Sequence, residues 1–316
     1  MNLTLLQELV CPHCPDEMSL YISSGSEVRG TDLFCGFLEC EFGCLYPVID
    51  GVAVVTPSWE DEISKHRGYI ERTIPDAAVP ECLRQGFEFT YDGKHHVDEE
   101  VVPYVFNHLC FSGIAVDKNP ADEVVSPMLR ALIVESATVG PYQLVRRHTE
   151  NQRGARHLDI GCSVGTAIAI SAEQGTDISL GIDISFPAVH TGRSMIPALS
   201  ENENGIAELI VAAAEHLPVR SAAWSLVSAL NVVDEVSAPN AVTNELSRTV
   251  APSGHLLIVA PFRERDNLIC EESGLVAVQG ILDIPWVILR GPRYLEFLSV
   301  DAYLYQRPAQ AGAERT

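Results

Sequence analysis

The chain has 316 residues, 47% of them hydrophobic, and carries 21 basic against 43 acidic side chains for a formal charge of −22. So acidic a chain lacks the Lys and Arg that displace phosphate counterions, which argues against nucleic acid as a partner. Nine cysteines is an odd number, no secretory leader is read at the start, and no apolar run reaches the ~18 residues of a membrane span. The expectation is a soluble, cytoplasmic protein of a reducing compartment, without a disulfide framework and without a membrane partner.

The first segment, residues 1–56, opens with Cys11-Pro-His-Cys14, followed by Cys35, Cys40 and Cys44 and then Leu-Tyr-Pro-Val-Ile-Asp-Gly-Val. Two Cys-x2–4-Cys knuckles in a short segment are a tetrahedral zinc signature, because each turn points two thiolates at one ion. Five cysteines compete for four places. Cys11 and Cys14 form one pair; Cys40 and Cys44 are favoured for the other, since Gly43 permits a tight knuckle and Cys44 adjoins Tyr46-Pro47. Cys35 is the alternative, and His13 an outside candidate. A closed set of four thiolates leaves no open coordination position, so the expected Zn2+ is structural. It replaces the core that some fifty residues cannot build alone. Glu8, Asp16, Glu17, Glu27, Asp32, Glu39, Glu41 and Asp50 face only Arg29 in this segment, so it would repel phosphates.

Residues 57–139 read as a helical linker and cap. Trp59–Arg72 is charged and helical in character, and the prolines of 75–80 end it. Asp92-Gly-Lys-His-His96 is a turn. Ser126-Pro127 starts a helix, with Ser as cap and Pro at the first position, and Gly140-Pro141 stops it. Leu129, Leu132 and Ile133 give its buried face. A second helix, Tyr142–His148, leads into a strand, with His148 expected to face solvent.

At 157–165 the chain reads His-Leu-Asp-Ile-Gly-Cys-Ser-Val-Gly, and Gly-Ile-Asp-Ile-Ser follows at 181–185. This is a strand, a glycine turn and, about twenty residues on, a second strand ending in an acidic residue, the pattern by which an open parallel sheet grips an adenosine. Gly161 lets the chain leave the strand at positive φ, and Gly165 lets the next helix pack closely. Asp183 is placed to take both ribose hydroxyls. Asp159 would repel a pyrophosphate but suits a zwitterionic ligand, and Ser163 stands where a dinucleotide site wants glycine. The pattern favours S-adenosylmethionine over NAD.

These residues resemble class I S-adenosylmethionine-dependent methyltransferases, over roughly residues 140–306. Val211–Pro218 looks like that family's third segment, Trp224–Val233 its fourth strand, and Val250–Pro261 its fifth, with Ser253 where glycine is usual. Trp286–Arg290 and Ser299–Gln306 look like the sixth and seventh strands. The resemblance implies an α/β, Rossmann-like seven-stranded sheet with the last strand antiparallel, preceded by a small zinc-binding β module. It divides the chain into a module at 1–56, a linker and cap at 57–139, a cofactor domain at 140–308 and a disordered tail at 309–316. The implied cofactor residues are Asp159, Gly161, Cys162, Ser163, Gly165, Asp183, Ile184, Ala214, Glu215 and Asn231. Two positions depart: Ala213 replaces an Asp that accepts from adenine, and Ser225 replaces an Asp before the fourth strand. The amino-terminal segment also resembles small zinc ribbons that activate methyltransferases.

The implied reaction is in-line methyl transfer to an O, N or C atom, with a small molecule, in specialised metabolism, as the expected acceptor. Alternatives are an enzyme that cyclises the cofactor with release of methylthioadenosine, an rRNA, tRNA or protein methyltransferase, and a non-catalytic zinc-ribbon interaction protein. A zinc module fused to such a domain also resembles bacterial rRNA guanine methyltransferases, but the acidic charge weighs against that substrate. By position, Tyr104, Phe106, His108 and Tyr142 are candidates for acceptor contact, and Tyr104, His108 and Tyr142 are the weak catalytic candidates. His95, His96, His108, His148 and His216 are conceivable bases, none distinguished. The sequence assigns no oligomeric state.

Overall fold

The computed structural model describes residues 1–94, 96–111, 126–150, 154–195, 205–261, 273–291 and 294–309. His95, the side chains of Phe106 and Cys110, Cys270 and residues 310–316 lie outside that set. The amino-terminal segment forms β1 (Leu20–Ile22), β2 (Glu27–Arg29), β3 (Asp32–Cys40), β4 (Leu45–Ile49) and β5 (Val52–Ala53). All pair antiparallel around β3 and β4.

Helices α1 (Trp59–Lys65) and α2 (Arg67–Thr73) replace the single helix read over 59–72, because the backbone of His66 leaves helical geometry (φ −101°, ψ 12°). Next come α3 (Val102–Phe111), α4 (Pro127–Val139) and α5 (Pro141–Thr149). Ser126 caps α4, its hydroxyl accepting from Leu129 N at 3.4 Å, and Gly140 separates α4 from α5 as the Ser-Pro and Gly-Pro signals predict. His148 does not face open solvent: it is half-buried, its ring 5.9 Å from that of His255.

The main sheet contains β6 (Arg156–Ile160), β7 (Ile178–Asp183), β8 (Ile206–Val211), β9 (Trp224–Leu230), β10 (Val250–Ala260), β11 (Val276–Gly291) and β12 (Tyr294–Gln306), in the order β11-β12-β10-β9-β6-β7-β8. Helices α6 (Thr166–Glu173), α7 (Phe186–Met195) and α8 (Pro239–Thr249) connect its strands. Strands β6 to β10 run parallel; β12 is antiparallel to both β10 and β11. This is the Rossmann-like α/β sheet with its last strand reversed. The sequence marked β11 only at Trp286–Arg290 because Pro285 breaks the strand pattern, but β11 lies at the sheet edge, where a missing N–H is tolerated.

The zinc-type segment and the sheet share one core. Leu5, Leu9, Tyr46, Ala53 and Val55 pack in a single cluster with Ile210, Leu217, Val219 and Trp224. Backbone bonds continue across the contact: Val55 N donates to Val211 O at 2.7 Å and Val10 N to Pro218 O at 2.9 Å. Thus Val54 adds a parallel bridge to β8, the edge strand.

Candidate active site and cysteine cluster

The carboxyl ends of β6, β7, β8 and β9 open on a cavity of about 910 Å³, at the upper end of the range for small-molecule sites. Its floor is the turn after β6. Gly161 has φ +69°, and a Cβ there would lie 2.1 Å from a methyl of Val232, so any other residue would be both strained and crowded. Gly165, at φ +80°, caps the start of α6 and is not in the cavity wall. Ser163 and Asn231 also hold left-handed backbone, with φ 51° and 59°, conformations that strain a residue with a side chain.

Cys162 and Ser163 line the cavity with Asp159. Asp183, Ile184, Ala214, Glu215 and Asn231 line it as well. Nine of the ten expected cofactor residues therefore line one cavity, and Gly165 does not. The Asp183 carboxylate accepts from Ser163 N and Ser185 N, each at 2.8 Å, which fixes its orientation. Burial raises its pKa while those backbone bonds lower it. The side-chain oxygen of Asn231 is buried without a partner, a free acceptor beside the cavity.

Asp159 is buried in the sheet. Its Oδ1 accepts from Ser228 Oγ at 2.5 Å, and Ser228 Oγ lies 2.8 Å from His157 Nε2. Burial pushes the Asp159 carboxyl up to about 7; Ser228 opposes the shift and the Asp183 charge adds to it.

The cavity extends past the turn into a lobe walled by Tyr104 and Asn107 of α3, Tyr142 of α5 and Trp286, Ile288 and Leu298 of the β11–β12 hairpin. Tyr142 and Trp286 meet edge to face at 6.0 Å. Arg290 and Glu296 form a 2.8 Å ion pair in the same wall. The sequence placed Tyr104 and Tyr142 here by position, but it read the hairpin residues only as strands, and no motif marks them.

Histidine does not reach this lobe among the described residues. His108 is fully buried, with Nδ1 3.2 Å from Thr166 Oγ1, and burial pushes its pKa down to about 4. His96 pairs with Asp92 in an exposed turn, and His216 is exposed. Burial raises the Tyr142 phenol, the Asp159 charge adds to that, and a Thr166 hydrogen bond opposes it.

Residues 158–258 match the sequence family described as a methyltransferase domain. The chain carries a methyltransferase domain. No curated protein sequence matches the chain. Solved structures with a similar fold include the YcgJ protein from Bacillus subtilis (15% identity, TM-score 0.41, 54% of this chain and 98% of that one). Others are a methyltransferase from Methanosarcina mazei (14%, 0.40, 52% and 97%) and geranyl diphosphate methyltransferase (15%, 0.43, 61% and 87%). Likenesses of that size name no acceptor for this methyltransferase.

S-Adenosylmethionine, the methyl donor of such domains, fits the residues present. The half-buried strand-end carboxylate of Asp183, the glycine cradle at Gly161 and the free acceptor of Asn231 are donor-poor and acceptor-rich, as a cationic, hydroxyl-bearing ligand requires.

The second site is the cysteine cluster. The sulfurs of Cys11, Cys14, Cys40 and Cys44 lie within 4.8 Å of one another. Cys14 Sγ is 3.8 Å from Cys40 Sγ and 3.6 Å from Cys44 Sγ. A tetrahedral ion with Zn–S bonds of about 2.3 Å sets its sulfurs roughly 3.8 Å apart, so the cage has the dimensions of a zinc site. Gly43, at φ +79°, turns the second knuckle, where Cys40 N donates to Cys44 O at 3.1 Å. Cys35, on β3, is buried outside the cluster. No helix among the described residues is long and apolar enough to cross a membrane.

Proposed function

We propose that this methyltransferase moves the methyl group of S-adenosylmethionine, in line, to an O, N or C atom of a small molecule seated in the lobe between α3 and the β11–β12 hairpin. The carrying observation is the continuity of the cavity. One space of about 910 Å³ runs from the Asp159–Ser163 turn to Trp286 and Leu298, enough for a cofactor and an acceptor together.

In this reading Asp183, Ile184, Ala214 and Glu215 hold the adenosine half, and Asp159, Gly161, Cys162 and Ser163 the cationic half. Ala213 offers no carboxylate to the adenine amino group, a task left to Glu215. When bound, S-adenosylmethionine supplies a methyl group already activated on a sulfonium, so the chain's work is alignment and exclusion of water. Tyr142, Trp286 and Leu298 exclude water and orient the acceptor. The buried His108 is held neutral behind Thr166 and is poorly suited to take a proton. An acceptor that arrives as a ready nucleophile suits this lobe better than one needing a strong base. Among the described residues the wall brings Glu100, Glu215, Glu235 and Glu296 against Arg290 alone, which disfavours a phosphate-rich acceptor.

Titration calorimetry with S-adenosylmethionine tests the reading, with 1:1 binding expected. Incubation with the cofactor alone, followed by mass spectrometry, should leave it intact. Absence of binding would overturn the enzymatic reading, and methylthioadenosine formed without an acceptor would replace transfer by cyclisation.

A further inference from the structure

Behind the cofactor wall lies a chain of buried polar groups that hydrophobic packing does not require. Three neighbouring strands and α6 contribute to it. His157 and Asp159 are two residues apart on β6 and so share a face of the sheet. Ser228 pairs with Asp159 across β9, and Ser179 pairs with His157 across β7. Ser171 of α6 closes the set: its Oγ lies 2.9 Å from His157 Nδ1, 3.0 Å from Ile168 O and 3.0 Å from Ser179 Oγ. His157, Ser171, Ser179 and Ser228 are fully buried and Asp159 is 3% exposed.

Donor and acceptor accounting gives this chain two complete states. With Asp159 ionised, Ser228 donates to Asp159, His157 donates from Nε2 to Ser228, and Ser171 donates to His157 Nδ1. With Asp159 protonated, every bond reverses. Asp159 donates to Ser228, Ser228 donates to His157 Nε2, His157 donates from Nδ1 to Ser171, and Ser171 donates to Ile168 O. Both states keep Ser228, His157 and Ser171 paired, and Ser179 pairs with Thr176 Oγ1 at 2.5 Å. His157 stays neutral in both, because burial pushes its pKa down to about 3.

We propose that His157 and Ser228 are positioning residues which make Asp159 a proton-linked sensor of positive charge in the cofactor pocket. Below neutral pH the empty pocket holds Asp159 mainly protonated, with the His157 proton on Nδ1. A cation in the pocket ionises Asp159, and His157 switches to the Nε2–H tautomer. One proton leaves Asp159 for solvent through the cavity; His157 keeps one ring proton throughout, and Ser228 and Ser171 keep theirs and turn.

The groups facing Asp159 are Asp183 from β7, Tyr142 from α5, Cys162 from the turn and Ser228 from β9. None of them is a cation, so a positive ligand is the missing counter-charge. This inference rests on the proposal that S-adenosylmethionine occupies this pocket.

Two measurements on the full-length protein test it. Calorimetry at pH 6.5, below the titration range of an α-amino group, is run in buffers of differing ionisation enthalpy. With the Asp159 carboxyl near 7, S-adenosylmethionine should release about three-quarters of a proton. Uncharged 5′-methylthioadenosine should release none. Nitrogen-15 spectra of histidine-labelled protein should show His157 exchanging the shifts of its two ring nitrogens on addition of S-adenosylmethionine. In Ser228→Ala that tautomer response should vanish while the labelled resonance persists. Binding without proton release, or with a fixed His157 tautomer, would overturn this inference and leave the cofactor assignment standing. No binding would overturn both.

Discussion

Asp159 carries a cost in the ligand-free protein. Its carboxyl, raised to about 7 by burial and by Asp183, lies above the ~3.9 of an unfolded aspartate. The folded chain therefore retains a proton that the unfolded chain has lost. On this account stability is highest below pH ~4, declines as pH rises and is fully reduced above 7. Asp159→Asn keeps the size of the side chain and still accepts from Ser228, but removes the titration. Its stability advantage over the parent should grow from near zero at pH 4 to several kcal/mol at pH 8, with three pKa units setting an upper bound of ~4 kcal/mol. Urea unfolding of both proteins without ligand, across that range, measures the gap. A gap that does not change with pH would mean that the Asp159 carboxyl titrates normally. The variant should meanwhile bind S-adenosylmethionine more weakly, an exchange of stability for function common at binding sites.

Among the elements, the β11–β12 hairpin does two jobs with its two parts. Trp286, Ile288, Arg290, Glu296 and Leu298 wall part of the cavity, while the distal end of β11 is a sheet edge among the described residues. Val276, Val278 and Leu282 are 57%, 54% and 61% exposed there, and among the described residues β11 has no further strand beyond it. An apolar edge of this kind invites pairing with another chain, and natural edges are blunted by Lys. Val278→Lys should raise the temperature at which light scattering begins and leave the melting midpoint within about 1 °C, since the side chain packs on little. A midpoint lowered by several degrees would show instead that this edge is covered.

The contrast between the hairpin and the glycine turn explains what could be read from the sequence. Turn residues such as Gly161 and Asp183 are adjacent in the chain or separated by one βαβ unit, and their chemistry needs particular residue types at particular spacings. The lobe needs only apolar area and the right shape, so Trp286 and Leu298 follow ordinary strand alternation and leave no motif. Pro285 further disguised the length of β11. No local motif marks the network behind Asp159. Its meaning depends on β6 pairing with β7 and β9, a non-local fact. Ser163 and Ser253 held glycine-like conformations without glycine, at φ 51° and 64°, which made the turn motifs look weaker than the backbone is.

At the scale of the whole molecule, the cysteine segment does more than hold itself together. Val55 bonds to Val211, the last residue of β8, and the chain then runs directly into Ala212, Ala213, Ala214 and Glu215 of the cavity wall. Glu8 and Arg156 pair across the same junction, tying the first helical turn of the segment to the start of β6. His190 of α7 links Asp50 of the segment to Tyr69 of α2, at 3.0 Å on each side. The segment thus contacts the strand end that leads into the cavity wall. A tetrahedral four-thiolate ion supplies much of the folding energy of such small modules, so its removal should be felt at the cofactor pocket. The purified protein should contain one zinc per chain by elemental analysis. Cys14→Ser should lower both zinc content and melting temperature and weaken S-adenosylmethionine binding severalfold or more. Cys35→Ser, outside the cage, should keep full zinc content. Equal zinc loss in the two variants would place the ion elsewhere. Zinc loss with unchanged cofactor affinity would show that the segment folds beside the pocket without supporting it.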